Sequence, residues 1–115
     1  MSKWMVAFGM FLALAWVVLA LITAQALIEL GPAEAFRTFL GDYRHPWRAQ
    51  FYSDFSLHLV LTAAWVLYRA PTPALGAAYA FLVLSLGALF TIPYVLAAAG
   101  KAKGEARALL LGRHA

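Results

Sequence analysis

The residues whose types and spacing could do chemistry are Asp54 and His58, one helical turn apart in the run Pro46 to Arg69, PWRAQFYSDFSLHLVLTAAWVLYR. A carboxylate and an imidazole at i,i+4 share a helix face, and together they can relay a proton near neutral pH or contribute to a metal site. Thr62, Trp65 and Arg69 continue that face at i+8, i+11 and i+15 from Asp54. Each chemistry lacks a part. Glu29 and His45 are further oxygen and nitrogen donors, but the spacing matches no metal signature. Haem or chlorophyll ligation lacks a second well-placed histidine. No acid or histidine lies on the far half of any apolar segment to carry a proton onward, and Ser53, Ser56 and Thr62 form no nucleophile motif. A structural Asp–His pair that satisfies itself or a neighbouring helix is the preferred reading, with no metal and no cofactor expected.

The elements that must position this pair are apolar. Of 115 residues, 64% are hydrophobic and 12% charged, against roughly 25% charged in an ordinary soluble domain. Mean hydropathy is +0.78 and the pI about 9.8. The absence of cysteine excludes disulfides, thiolate metal sites and cysteine nucleophiles. The nine Lys and Arg residues flank apolar segments, which points to lipid headgroups rather than nucleic acid. No phosphate loop, nucleic-acid module or internal repeat is present.

These features predict an all-α integral membrane bundle of three transmembrane helices, at about 5–27, 50–68 and 74–99, forming one domain. Met5 to Ala24 carries no charge and is long enough to span. It also resembles a signal peptide, with Ala24-Gln25-Ala26 as a cleavage-like site, but its length favours retention. Gly31-Pro32 restarts the chain as a short interfacial helix over about 32–40, and Tyr43 to Arg48 forms an aromatic and basic belt. Pro71 and Pro73 close the second span. In the third, Pro93 lacks an amide hydrogen and clashes with the Leu89 carbonyl, which predicts a bend or a freed backbone acceptor. The basic tail 101–115 offers Leu109, Leu110 and Leu111 to the bilayer surface.

Counting cations places the first connection and the tail in the cytoplasm and the N-terminus outside, as in a multi-pass protein of a bacterial inner membrane. That topology gathers Gln25, Glu29, Asp54, Thr91 and Tyr94 at one face as a candidate polar cluster with His58 beneath. Arg44, Trp47 and Arg48 are the candidate headgroup contacts.

Pro46-Trp47, then Asp54-Phe55, Trp65, Tyr68-Arg69, Gly87 and Tyr94 recur in an order that resembles small three-span membrane protein families of bacteria and plants, catalogued as domains of unknown function. The resemblance covers roughly residues 46–99. It implies a three-span protein with Asp54 at the head of the middle helix, includes no counterpart of His58, and brings no activity. The expected function is a non-enzymatic accessory or interaction subunit. Its partners would be the lipid bilayer and a homo-oligomer or larger membrane complex, reached through small-residue faces such as Gly9 with Ala13 and Gly76 with Ala80. The alternative is a protein or enzyme that binds a lipid, isoprenoid or quinone through Asp54 and His58.

Overall fold

Proline, glycine and polar caps punctuate an otherwise continuous helical chain. The structure, a computed structural model, describes residues 2–115. Helix α1, Lys3–Glu29, starts where the Ser2 hydroxyl accepts from the Met5 amide at 3.2 Å. Helix α2, Pro32–Asp42, and helix α3, Pro46–Arg69, each open on proline, whose missing amide costs nothing in a first turn. Ala70 is extended ahead of Pro71, which ends α3. The Thr72 hydroxyl then caps α4, Pro73–Leu86, through the Leu75 amide at 3.2 Å. Helix α5, Ala88–Lys101, follows, then α6, Ala106–Leu111, and a 3-10 turn at Gly112–His114.

Gly87 separates α4 from α5 with φ 60° and ψ −135°, a conformation that a residue with a Cβ rarely adopts. Beyond it the chain folds back. Phe90 and Tyr94 of α5 pack on Tyr79 of α4, with ring centroids 5.9 and 5.3 Å apart. Tyr94 also reaches Trp65 of α3 at 6.1 Å. Helices α3 and α4 form an antiparallel pair around Ala63, Val66 and Val83, the last two fully buried. Helix α1 lies along α5, with Gly9 against Leu96 and the Trp16 indole donating to the Leu89 carbonyl at 2.9 Å. That carbonyl is the acceptor Pro93 leaves free. The break in the third apolar segment is at Gly87, and α5 runs through Pro93.

This architecture corrects the three-span reading. The segment expected as one span at 74–99 is two helices of 14 residues each, about 21 Å long, too short for a hydrocarbon core of roughly 30 Å. Helix α3 has the length, with 24 residues, but it carries Arg48, Asp54, His58 and Arg69. Among the described residues Lys3–Glu29 alone is long and apolar enough to cross a membrane. Among the described residues the fold is all-α with six α-helices, and the multi-pass topology falls with the three spans. So does the expected localisation, because the hairpin at Gly87 returns the tail to the Arg69 end of α3. The bilayer as the tail's partner is replaced by the protein. The Leu109 and Leu110 carbonyls accept from Arg69 Nε at 2.8 Å and Trp65 Nε1 at 2.9 Å.

The accessory-subunit reading is corrected on the same grounds. A Cβ on Gly76 would meet Leu67 and the Ala70 methyl at 2.9 and 3.0 Å, and Gly9 faces Leu96. These small residues are occupied within the chain rather than offered to an oligomer or larger complex. Helix α1 itself is apolar on every side and has no buried residue, so the chain alone does not cover its surface.

The reversal at Gly87 is testable by one methyl group. A Cβ there would lie 3.5 Å from Phe55 and 3.8 Å from Leu59, ordinary contact distances, so the cost is conformational. Gly87→Ala is expected to reduce the unfolding free energy by about 1–3 kcal/mol in chemical denaturation. Unchanged stability would remove Gly87 as the residue that sets the hairpin.

Candidate functional site

Helix α3 carries functional groups at both ends. At its start, Asp42 at the end of α2 accepts from Tyr52 Oη at 2.7 Å and from Arg48 Nη1 at 3.2 Å. The turn before Pro46 brings these groups together, although six and ten residues separate Arg48 and Tyr52 from Asp42. Phe39, Tyr43 and Tyr52 stack around them, with centroids 4.9 to 5.9 Å apart. The hydrogen bond to Asp42 raises the Tyr52 pKa above its ordinary value of 10.0. Burial and the Asp42 charge add to the shift, and Arg48 opposes it.

Beside this latch, a cleft of about 370 Å³ opens between the end of α1 and α2. Ala26, Leu27, Leu30 and Phe39 form apolar walls, and Tyr52 lines the α3 side. Three other polar side chains line it. The Thr23 hydroxyl donates to the Leu19 carbonyl at 2.8 Å, and Glu34 pairs with Arg37 at 3.0 Å. Thr38 is exposed, and its hydroxyl has no protein hydrogen-bond partner among the described residues.

The expected polar cluster divides among several places. Asp54 and His58 are neighbours, Oδ1 to Nε2 at 3.6 Å, on an exposed face of α3 outside this cleft. Gln25 donates to Glu29 at 3.2 Å on the exposed end of α1. The Thr91 hydroxyl donates back to the Gly87 carbonyl at 3.1 Å, one turn earlier in its own helix. Tyr94 lies at the other end of α3, where its hydroxyl accepts from Arg69 Nη1 at 2.6 Å. Of the headgroup candidates, Arg44 and Trp47 are exposed, whereas Arg48 is engaged by Asp42. Among the described residues no group of three or more His, Asp or Glu is placed to hold a metal ion.

Sequence reasoning missed both anchors. Trp65 and Arg69 at i,i+4 were visible as one face, but their partners on α5 and the tail depend on the fold. The Arg69 guanidinium lies over Trp65 and Tyr94, 5.6 and 5.4 Å from the ring centroids. Comparisons with protein families, with curated proteins and with solved structures find no match to this chain.

A raised tyrosine pKa means that the latch contributes stability fully below the unfolded-state value of about 10 and loses it as pH rises through the folded-state value. An alkaline absorbance titration, taken as the difference between the native protein and Tyr52→Phe, is expected to show Tyr52 ionising above that value. In Asp42→Ala it should ionise at lower pH. A Tyr52 titration unchanged by Asp42→Ala would exclude the carboxylate as the cause.

Proposed function

We propose that this protein binds a small, largely apolar molecule of the lipid, isoprenoid or quinone class in the cleft between α1 and α2. The observation that carries the reading is the cleft itself. At about 370 Å³ it falls within the size range of small-molecule sites, roughly 300–1,000 Å³. Its apolar walls and single uncommitted hydroxyl are the chemistry such molecules need.

An isoprenoid or acyl chain lying against Ala26, Leu27, Leu30 and Phe39 gains roughly 25 cal/mol for each Å² of apolar surface removed from water. The Thr38 hydroxyl orients the polar end, donating to a quinone carbonyl or accepting from an alcohol. Tyr52 offers mainly its ring face, since its hydroxyl hydrogen is held by Asp42. The Asp54 and His58 pair lies outside this cleft and has no part in binding there.

Isothermal titration with a short-tailed ubiquinone tests the assignment. Ala26→Trp should weaken binding at least about tenfold by filling the cleft. Ala26 is exposed, so the larger ring displaces no core group. Asp54→Asn with His58→Ala should leave affinity unchanged. The reverse pattern would move the ligand to the Asp54 and His58 face, and no binding by the unsubstituted protein would overturn the proposal.

A further inference from the structure

A second cavity, about 450 Å³, lies at the opposite end of α3 and differs in charge from the first. Tyr52 and Arg69 are separated along α3 by about 25 Å. Arg69, Lys101 and Arg113 line this cavity, together with the Tyr79 and Tyr94 rings and an apolar floor that includes Leu75 and Ala98. Among the described residues the ion pairs are Arg37 with Glu34, Arg48 with Asp42 and His58 with Asp54, so none of the three cations has a carboxylate partner. Four of the five acidic residues, Glu29, Glu34, Asp42 and Asp54, belong to the other end, and Glu105 does not line the cavity.

From this arrangement we infer that the cavity binds an organic phosphate, with the phosphate on Arg69, Lys101 and Arg113 and the apolar part of the ligand on the floor around Leu75 and Ala98. The site is distinct from the cleft between α1 and α2 and does not depend on it.

Arg69 is pre-organised for this role. Its Nε donates to the Leu109 carbonyl and one Nη to Tyr94, and two aromatic faces hold the plane. The remaining Nη has no protein partner among the described residues and is not buried. A guanidinium fixed this way loses little freedom on binding an oxyanion. Gly112, at φ 54°, sets the place of Arg113. A Cβ there would collide with the Arg69 carbonyl oxygen, so the tail approaches α3 more closely than any other residue at that position allows. Three cations suit a phosphate dianion, whose oxygens each accept charge-assisted hydrogen bonds, better than they suit one carboxylate. The apolar floor favours an ester carrying a hydrocarbon group over the free ion.

The test is titration of the full chain with octyl phosphate, inorganic phosphate and the neutral octyl glucoside, repeated with Lys101→Gln combined with Arg113→Gln. Both substituted residues are exposed, and Arg69 is left in place because it holds the tail. Octyl phosphate should bind at least about tenfold more tightly than octyl glucoside. The double substitution should weaken octyl phosphate binding by about tenfold, without changing octyl glucoside. Inorganic phosphate binding as tightly as octyl phosphate, with the same loss on substitution, supports the phosphate site and assigns its ligand to a soluble phosphate. Equal affinity for octyl phosphate and octyl glucoside, or affinity for both phosphates unchanged by the substitutions, overturns the proposal.

Discussion

The chain reversal at Gly87 is the constraint on which the other contacts depend. A continuous helix from Pro73 to Lys101 would carry Tyr94 away from the end of α3. The turn at φ 60° instead returns it to Arg69. Arg69 then has an aromatic partner on α5 as well as Trp65 on its own helix, and the tail carbonyls of Leu109 and Leu110 close over both. Pro93 acts in the same segment by a different route. It deprives the Leu89 carbonyl of its helical donor, and the Trp16 indole of α1 supplies the replacement. One glycine and one proline thus fix how α4, α1 and the tail attach to α5.

The ends of α3 matter to stability because the buried core is small. Among the described residues the buried hydrophobic ones are Ala63, Val66, Ala70, Val83 and Ala98, and only the two valines are both large and fully enclosed. Burying each valine contributes roughly 1.5–3 kcal/mol. A hydrogen bond involving a charged group contributes on the same scale, roughly 1.5–3 kcal/mol where water is excluded and less where it is not. The Asp42 latch is open to water and mainly positions α2, whereas the part-buried hydrogen bonds of Arg69 stand nearer to the scale of the core. Their positions also explain why both cavities lie at the ends of α3. Each anchor holds a neighbouring element, α2 or the tail, at a few points and leaves space beside them.

What was legible in the sequence was local. Gly31-Pro32, Pro71 and Pro73 mark helix boundaries that the structure keeps, and α2 runs only two residues past the expected 32–40, whereas α3 begins at Pro46, inside the expected belt and four residues before the expected span. The i,i+4 neighbours Asp54 with His58 and Gln25 with Glu29 do meet. The carbonyl freed by Pro93 could be inferred, although its partner Trp16, 73 residues from Leu89, could not. The third apolar segment misled for a physical reason. Within a run of Leu, Ala and Phe, a glycine that packs against a neighbour and one that reverses the chain look the same, and hydrophobic periodicity does not separate one long helix from two short ones. Tyr94 was consequently assigned to the wrong end of α3. The partnership of Asp42 with Tyr52 was hidden because it requires the turn before Pro46 to close.

The latch and the proposed ligand are thermodynamically linked. Helix α2 is joined to α1 through Gly31 and tied to α3 by the contacts of Phe39, Asp42 and Tyr43, while its other side chains are mostly exposed. The cleft exists only while α2 is docked, because Glu34, Thr38 and Phe39 come from α2 and Thr23, Ala26 and Leu27 from α1. A ligand that needs both walls binds the docked state alone. It therefore stabilises the latch by the same free energy by which the latch improves its affinity. Under the proposed binding, loss of the Asp42 to Tyr52 bond lowers affinity without removing any group that touches the apolar chain, and a bound chain delays the loss of that bond as pH rises. The chemistry of a phenol at one end of α2 thus bears directly on whether an apolar cleft is available along its length.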